Sequence, residues 1–453
     1  MKITKINLND FQQFKGLDID LTYPKGHEKE GQPLDKVCFI GQSGTGKTTI
    51  LNILNELVTL RKGIATRKVN TKDTQYFIEF LLNKVKNQSG KVLAEVHATL
   101  PFFQFEEEPV QTTKGYDEFI LNWRTILINY PAEFNERVSD FLEKSPIHNP
   151  LSFLKSNVDI NDDIHVERVK LENKMIYDFK KDNPLDIWKS ILMDARDYMV
   201  SELSFSQKLT KALIKNKRRA NELIEEFTKW QTDNPSPFIG LANVVNPVIE
   251  KFYCKIKTDF DFEKAEDLGF VKIETTNDKD IPFNLWSSGT KRVVLTAMPL
   301  HYLETKNTIV TIDEPEGSLY PDVQGEIVDF YSSLAPDAQF FYATHSPIIA
   351  SSFKPWEIVE LKFDYKKGKV FQEKYYEGER HIDNYKIFPE YLRWDSILTR
   401  VFDLEMEGNE KRKEKLLELS QMEADIKSEP DKTKKRKMYD EFKNLADKLD
   451  WQI

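Results

Sequence analysis

Apolar residues near the start of the sequence fall into short segments that predict strands followed by a helix. Two early strands are predicted by Ile3, Ile6 and Leu8 and then by Leu17, Ile19 and Leu21. The run LDKVCFI, which ends at Ile40, has the continuous apolar character of a buried strand. The stretch KTTILNILNELVTL follows shortly afterwards and has helical spacing.

The same alternation returns in the second half of the sequence. FVKIET and TIVTID predict strands, VVLTAMPLHYL between them predicts a helix, and QFFYATHS predicts another strand. TILINYPAEF, from Thr125 to Phe134, predicts a strand ending at Pro131, whereas the pattern from Tyr76 to Leu100 mixes helical and strand spacing. Strands separated by helices indicate an α/β fold with a parallel sheet.

Two helical segments interrupt or extend this pattern. Residues 135–265 have mostly helical spacing, so we expect residues 1–134 and 266–393 to form one domain around a compact helical insertion. Residues 394–453 predict a helical tail with a hairpin broken at Glu429-Pro430. Its two apolar stripes either pack back onto the same domain or form a surface for a partner or for self-assembly. They comprise Leu416, Leu419, Met422 and Ile426, and Tyr439, Phe442, Leu445, Ala446 and Leu449.

Composition excludes several classes of protein. The 453 residues carry a net charge of −9, so contact with nucleic acid would need a local basic patch. Two cysteines, Cys38 and Cys254, fit a reducing compartment and argue against a disulfide framework or a cysteine zinc cluster. No apolar run approaches the roughly 18 residues of a membrane span. We therefore expect a soluble cytoplasmic protein that does not contact membranes.

GQSGTGKT, from Gly41 to Thr48, has the spacing of a phosphate-binding loop between a strand and a helix. Successive backbone N–H groups of such a loop can surround phosphates. Lys47 would reach the terminal phosphates, and the Thr48 hydroxyl would bind Mg²⁺. The sequence therefore predicts binding of a nucleotide with Mg²⁺. The predicted nucleotide-binding residues here are Gly41, Gln42, Ser43, Gly44, Thr45, Gly46, Lys47, Thr48 and Thr49.

Two carboxylates follow the apolar strand in TIVTIDEPEGSLYP. Asp313 is suited to hold the metal or its water, and Glu314 is suited to accept a proton from an attacking water. His345 ends the next predicted strand in ATHSP, where its imidazole would contact the γ-phosphate from the same sheet edge. We predict Lys47, Glu314 and His345 as catalytic residues, with Thr48 and Asp313 as metal ligands.

The turn LWSSGTK places Ser287, Ser288 and Gly289 directly before a predicted helix. Their hydroxyl and N–H groups, with the positive end of the helix dipole, predict an anion site. In order along the chain, GQSGTGKTT, WSSGTK, TIDEPEGSLYP and ATHSP resemble the motifs of ABC-type ATPases, within them the SMC/RecF/OLD-like branch. The resemblance covers residues 1–50 and about 265–350.

The resemblance implies a P-loop NTPase of ABC type, with a mixed sheet and flanking helices. It also implies that Ser287, Ser288 and Gly289 bind the γ-phosphate of an ATP held by the phosphate loop of another subunit. A homo-oligomer is then required, either a dimer or an assembly of dimers such as a hexamer.

The sequence departs from the family pattern in four features. Trp286 stands where a leucine is usual, and Gly317-Ser318-Leu319-Tyr320 stands where many relatives have serine-leucine-histidine. No glutamine loop is recognisable, and Asn129 and Glu133 are poor substitutes for it. The spacer before the signature is also too short for a long SMC coiled coil, which again predicts a compact helical subdomain.

Three functions compete within this resemblance. The chain is similar to the ATPases of bacterial antiphage systems such as PARIS and Septu, in which the ATPase assembles with and restrains a separate nuclease effector, here of toprim or HNH type. A RecF-type DNA repair or chromosome-handling ATPase is the alternative. A self-contained OLD-like nuclease needs a toprim domain after ATHSP, and the short helical tail lacks that pattern. We expect an ATPase without nuclease activity of its own.

One basic segment, within residues 208–219, is a candidate DNA contact. A predicted helix there would bind phosphates in a salt-dependent manner, although the acidic residues Glu222, Glu225 and Glu226 favour an ordinary solvated helix. Asp163 with Glu172-Asn173-Lys174 mimics a restriction-nuclease pattern, and His148-Asn149 is isolated; neither supports cleavage by this chain. The basic residues are Lys208, Lys211, Lys215, Lys217, Arg218 and Arg219.

Overall fold

The structure of the protein, a computed structural model, describes residues 2–58, 62–70, 76–86, 92–101, 110–111, 117–120, 124–130, 174–215, 217–259, 270–303, 305–374, 385–402, 404 and 408–451. The chain divides into two compact units, Met1–Glu390 and Tyr391–Ile453. The first contains the sheets and all the predicted site motifs, and the second contains the helical tail.

One large sheet forms the frame of the first unit. The strands are β1 (Lys2–Phe11), β2 (Phe14–Asp20), β3 (Lys36–Gly41), β4 (Lys62–Asn70), β5 (Tyr76–Lys86), β6 (Val92–Pro101), β7 (Val110–Gln111), β8 (Asp117–Ile120), β9 (Arg124–Ile128), β10 (Ile176–Asp178), β11 (Cys254–Ile256), β12 (Ile273–Thr275), β13 (Asp280–Ile281), β14 (Thr308–Asp313), β15 (Gln339–Ala343), β16 (Ile358–Asp364) and β17 (Lys369–Gln372). The large sheet has the strand order β10-β9-β14-β15-β3-β16-β17-β2-β1-β6-β5-β4-β8-β7, and β11-β12-β13 form a smaller sheet.

Helices accompany the strands in both units. In the first unit they are α1 (Lys47–Val58), α2 (Pro184–Lys215), α3 (Lys217–Asp233), α4 (Pro237–Ile249), α5 (Ser288–Tyr302), α6 (Pro321–Leu334) and α7 (Pro347–Ala350). In the second unit they are α8 (Trp394–Arg400), α9 (Glu410–Ser428) and α10 (Lys432–Lys448).

The strands that carry the motifs form the parallel part of the large sheet. β3 lies between β15 and β16 and is parallel to both, and β14 lies between β9 and β15 with the same direction. Parallel strands are usually covered on both faces, which explains their continuous apolar runs. Their carboxyl ends meet at one edge of the sheet, so the phosphate loop, the carboxylates and His345 are brought to the same edge. The predicted α/β fold is confirmed.

An antiparallel group of strands extends the sheet beyond β17. β1 pairs with β2 and β6, and β5 pairs with β6 and β4, all antiparallel. The segment Tyr76–Leu100, whose pattern mixes two periods, therefore contains two strands, β5 and β6. The sheet is mixed, as the resemblance implies.

A buried glutamine joins the start of the chain to the parallel strands. Gln339 has no exposed surface, and its amide accepts from Ile3 N at 2.6 Å and donates to the carbonyls of Ile3 and Leu34 at 2.9 and 2.8 Å. Buried polar groups are usually satisfied in this way. Apolar residues of β1, β2, β3 and α1 belong to one core cluster, which also includes Ile3 and Leu34.

The predicted insertion, residues 135–265, contains the helices α2, α3 and α4. It also contributes two strands, because the short segment IYD forms β10 beside β9 and CKI forms β11. Three residues are too few for an alternating pattern to outweigh their helical neighbours in the sequence. Along α2 and α3, Phe205 and Tyr198 contact the ring of Trp230. Residues 135–173 and 260–265 lie outside the described part.

The tail contains the predicted helical hairpin. Asn409 accepts a hydrogen bond from Arg412 N and caps α9, and Asp431 does the same for Thr433 N at the start of α10. The two apolar stripes pack against each other, because the cluster they form contains members from both helices. Its buried members are Leu419, Phe442, Ala446 and Leu449, with Leu416, Met422, Ile426 and Leu445 packed around them.

In the described part of the chain, every helix is too short or too polar to cross a membrane.

Candidate functional site

The phosphate loop, Gly41–Thr48, turns from β3 into α1 through glycines that other residues would not replace easily. Gly41 has φ 144° and Gly46 has φ 86°, a region that side chains rarely adopt. A Cβ on Gly41 would lie 2.3 Å from the Leu361 carbonyl oxygen, and one on Gly46 would lie 2.5 Å from Gln13 Nε2. The loop therefore depends on glycine both for its turn and for its close approach to β16 and to Gln13.

Lys47 is held inside this loop. Its Nζ donates to the carbonyl oxygens of Gly41 at 2.8 Å and Gln42 at 3.1 Å, and the residue is only 5% exposed. Burial lowers the pKa of Lys47 to about 8, although the nearby carboxylates of Asp313 and Glu314 act in the opposite direction. These contacts position the ammonium group within the loop.

Thr48 and Asp313 bring the two halves of the sequence together. Thr48 Oγ1 donates to Asp313 Oδ1 at 3.2 Å, at the start of α1 and the end of β14. Burial raises the pKa of Asp313, while the hydrogen bond from Thr48 lowers it. A hydroxyl beside a carboxylate offers the hard oxygen ligands that Mg²⁺ prefers, and Mg²⁺ usually binds to one or two protein oxygens together with substrate phosphates. The two side chains fit that ion.

The segment Asp313–Ser318, which we call the carboxylate turn, follows β14 with two left-handed residues. Glu314 has φ 50° and Ser318 has φ 61°. Glu314 N donates to the Ala343 carbonyl oxygen at 2.8 Å, so the turn is bonded to the end of β15. Non-glycine residues hold such conformations only where their surroundings fix them, and they are frequent at functional sites.

Glu316 is a residue of this site that the sequence reasoning missed. Its carboxylate accepts from Thr344 Oγ1 at 2.8 Å and from His345 N at 2.9 Å. It therefore ties the carboxylate turn to the segment that carries His345. The sequence DEPEG contains Glu316 as a third acidic residue close to the predicted pair. The residues that bond to Glu316 follow another strand, β15, so the sequence alone does not reveal its role.

His345 lies two residues after β15, with a largely exposed side chain. Partial desolvation by its neighbours and the charge of Lys47 lower the pKa of His345, so the neutral imidazole is favoured. Directly after it, Ser346 Oγ accepts from the backbone N–H groups of Ile348 and Ile349 and donates to Gln324 Oε1 at 2.7 Å. The backbone around His345 is therefore held from both sides.

These residues surround one cavity of about 220 Å³. Among the predicted site residues it brings together Gly44, Gly46, Lys47, Thr48, Thr49, Asp313, Glu314 and His345, and it adds Gln13 and Ala343. Gln13 Nε2 approaches Thr49 Oγ1 at 3.5 Å. Sequence reasoning missed Gln13, because nothing in the early strands distinguishes it from an ordinary polar turn residue.

A second cavity, of about 460 Å³, adjoins the first and shares Thr48 and Asp313 with it. Asn129, directly after β9, lines this second cavity. It is one of the two poor substitutes for the glutamine loop, and the other, Glu133, lies outside the described residues.

The signature turn, Ser287–Gly289, is not in the lining of the 220 Å³ cavity. Ser287 Oγ accepts from Thr290 N at 3.0 Å and caps α5. Gly289 lies against the carboxylate turn, since a Cβ there would be 2.7 Å from the Ser318 carbonyl oxygen. Trp286, at the unusual position before the turn, is buried and donates from Nε1 to the Ile281 carbonyl at 2.9 Å. A tryptophan at this position is therefore a packing residue.

The basic segment around residues 208–219 is partly neutralised. Arg219 donates to Glu222 at 3.1 Å and to Glu226 at 3.0 Å, and Arg218 lies 3.7 Å from Glu222. The side chains of Lys215 and Lys217 lie outside the described part, as do Asp163, Glu172, Asn173, His148 and Asn149. Lys174 forms an ion pair with Asp182.

The family model of the AAA ATPase domain matches residues 1–350. The SmcHead bound to the C-winged helix domain of ScpA is similar at 10% identity and a TM-score of 0.37, over 82% of this chain and 97% of that one. The Smc head domain with an extended coiled coil bound to the C-terminal domain of ScpA, from Pyrococcus furiosus, is 12% identical with a TM-score of 0.36, over 82% and 96%. The SMC head domain from Thermotoga maritima is 11% identical with a TM-score of 0.34, over 83% and 100%. No curated protein matches the chain.

Proposed function

This chain belongs to the AAA ATPase domain family and is an ATPase, and we propose that it hydrolyses ATP with Mg²⁺ between the phosphate loop and the carboxylate turn. The observation that carries this proposal is the hydrogen bond from Thr48 to Asp313, at 3.2 Å, within a cavity that Glu314 and His345 also line. Residues that are far apart in the sequence thereby form one site, whose side chains are suited to the transfer of a phosphoryl group to water.

Each side chain has a distinct task in the proposed reaction. The loop N–H groups and Lys47 bind the β- and γ-phosphates, and the ammonium group offsets the charge that develops on them. Thr48 and Asp313 would hold Mg²⁺, which neutralises phosphate charge and orients the γ-phosphate when it is bound. Glu314 takes the proton of the attacking water, and neutral His345 donates a hydrogen bond to a γ-phosphate oxygen.

Exchanging Glu314 for glutamine tests the proposed base. Glu314→Gln keeps the shape of the side chain but removes the proton acceptor, so ATP should remain bound while phosphate release falls by about 10²–10⁴-fold. Radiolabelled ATP binding and phosphate release should be measured on the same preparation, with Lys47→Ala as the comparison that loses binding itself. Full turnover in Glu314→Gln would remove Glu314 from the mechanism.

The ABC-type assignment adds a second half-site. By resemblance, Ser287, Ser288 and Gly289 contact the γ-phosphate held by another copy of the chain. The exclusion of this turn from the lining of the 220 Å³ cavity is consistent with such an arrangement. The chain would then act as a dimer or an assembly of dimers such as a hexamer, in the cytoplasm.

For the cellular role, we propose the ATPase subunit of an antiphage system that assembles with and controls a separate nuclease effector of toprim or HNH type. The order of the four motifs supports an ABC-type ATPase, which this role shares with the alternative below, and the lack of a toprim pattern after ATHSP is the reason for proposing a separate nuclease. The alternative is a RecF- or SMC-like ATPase acting on DNA, and the pairing of Arg219 with Glu222 and Glu226 weighs against a DNA contact there. An adjacent nuclease gene whose product co-purifies with the chain would support the first role. A position in a recombination operon, with salt-dependent DNA binding, would favour the second.

A further inference from the structure

Arg292 lies on α5, shortly after the signature turn, and reaches the base of the carboxylate turn. We infer that Arg292 is a positioning residue, which fixes the peptide before Glu314 and thereby places that carboxylate for hydrolysis. This inference rests on the proposed role of Glu314. It concerns a residue that neither the sequence motifs nor the family match single out.

The peptide bond between Asp313 and Glu314 is held at both ends. Arg292 Nη2 donates to the Asp313 carbonyl oxygen at 3.1 Å, and Glu314 N donates to the Ala343 carbonyl oxygen at 2.8 Å. These two bonds fix the orientation of the peptide plane, from which the Glu314 side chain departs. Since Glu314 adopts φ 50°, a conformation that needs external support, loss of one bond should let the turn relax.

Arg292 is itself held by Tyr130, two residues after β9. Its guanidinium carbon lies 4.5 Å from the centre of the Tyr130 ring, a cation–π contact. The Tyr130 hydroxyl donates to the Arg292 carbonyl oxygen at 2.9 Å and contacts Thr296 Oγ1 at 2.5 Å. Phe179 packs edge-on against the same ring at 5.3 Å. Burial raises the pKa of Tyr130 far above its ordinary value, so the hydroxyl remains a neutral donor.

Gly317 provides the space that the guanidinium occupies. A Cβ at this position would lie 1.7 Å from Arg292 Nη1 and 2.6 Å from its Cζ. Any larger residue at 317 must displace the arginine or the turn. Gly317 lies in the segment Gly317–Tyr320, where many relatives have serine-leucine-histidine. A residue without a side chain at position 317 leaves room for Arg292 to pack against the turn.

The contacts distinguish positioning from catalysis. Arg292 donates to a backbone carbonyl and stacks on a tyrosine, and it is not in the lining of the 220 Å³ cavity. Its removal should therefore impair the chemical step while leaving ATP affinity intact. A role in binding phosphate would affect affinity first.

The test compares Arg292→Met, which keeps length without charge, with Arg292→Lys, which keeps a donor. We expect Arg292→Met to lower the single-turnover hydrolysis rate by about 10–100-fold, with the Kd for ATP changed less than about twofold, because small misplacements of catalytic groups have effects of this size. Arg292→Lys should recover part of the rate. Arg393→Met, at an exposed arginine of the other unit, serves as the control and should retain the wild-type rate.

Gly317→Ala gives an independent measurement through the other partner. It should reproduce the loss of rate in the wild-type background, but add little to Arg292→Met, because the flexible methionine can move away from the new methyl group. Far-UV circular dichroism confirms that each variant is folded. A wild-type rate in folded Arg292→Met, or a parallel loss of rate and ATP affinity, would overturn the inference. If Glu314→Gln turns over normally, the proposed base fails instead, and the two failures are distinguishable.

Discussion

We expect the burial of Lys47 to make ATP binding sensitive to pH. Lys47 is almost completely enclosed by its own loop, and the cost of desolvation outweighs the attraction of the neighbouring carboxylates, which lowers its pKa to about 8. Bound phosphates act in the opposite direction, because negative charge next to the ammonium favours its protonated form. ATP and a proton should therefore bind cooperatively.

Near pH 8 the nucleotide-free protein holds only a fraction of the Lys47 proton, and ATP binding should complete the protonation. We expect net proton uptake at this pH and an affinity for ATP that decreases as the pH rises through about 8. Titration calorimetry in two buffers with different heats of ionisation measures the uptake directly. Identical binding heats in both buffers, with an affinity independent of pH, would contradict the assignment.

Site residues that belong to a sequence motif could be predicted from the sequence. Site residues whose role depends on contacts between distant parts of the chain could not. The positions of Lys47, Thr48 and Asp313 follow from spacing after a strand. Glu316 and Arg292 have partners on other strands, and a single sequence does not reveal which strands are neighbours. Their roles required the sheet order.

Strands were easiest to predict where burial on both faces makes them continuously apolar, as in β3 and β14. β5 and β6 were ambiguous because their segment mixes strand and helix spacing, and an alternating segment with polar interruptions also fits a helix. The hairpin of α9 and α10 was predicted from its stripes. Which surface those stripes cover was left open, and in the structure they cover each other.

Ala446 tests that pairing, since it is fully buried between α9 and α10. Ala446→Glu places a carboxylate in this apolar contact and should destabilise the hairpin by about 2 kcal/mol or more. Lys443→Glu, on an exposed position of α10, is the matched control. Limited proteolysis should cut the tail of Ala446→Glu first while ATP binding persists, because the phosphate loop lies in the other unit. Unchanged protection of the tail would show that this packing is dispensable.

The same variant separates two uses of the tail. If the hairpin carries an effector, Ala446→Glu should release the co-purifying protein, whereas Lys443→Glu should retain it. Retention in both variants would assign the tail a purely internal packing role.

At the scale of the whole molecule, the proposed composite sites predict complementation between inactive variants. Lys47→Ala damages the phosphate loop of one subunit and Ser287→Arg damages the signature turn of the other. In a mixed two-fold pair both lesions fall on one site and the second site is intact, as an isologous interface requires. ATPase activity should return on mixing. It should reach at most about half of the wild-type rate per mixed pair, because one of the two sites in each pair is intact.

The control for this experiment mixes Lys47→Ala with Glu314→Gln. Both lesions lie on the side of the site that holds the phosphate loop, so each site of the mixed pair is damaged and activity should stay low. A protein that remains monomeric with ATP bound, and that hydrolyses at the wild-type rate when Ser287 is replaced, would contradict shared sites.

The position of β3 has a consequence for how the protein is made. Both neighbours of this strand come from late in the chain, β15 from Gln339–Ala343 and β16 from Ile358–Asp364. During translation, β3 and the phosphate loop leave the ribosome long before β15 and β16, the strands that pair with β3. Until those strands have been translated, the apolar side chains of β3 remain unburied or are covered by chaperones. Nascent chains arrested before Gln339 should pass through an ATP-affinity column, and chains arrested far enough beyond Asp364 to clear the exit tunnel should be retained. An unfinished subunit would then not bind nucleotide, and it would therefore not join an ATP-dependent assembly as an inactive subunit.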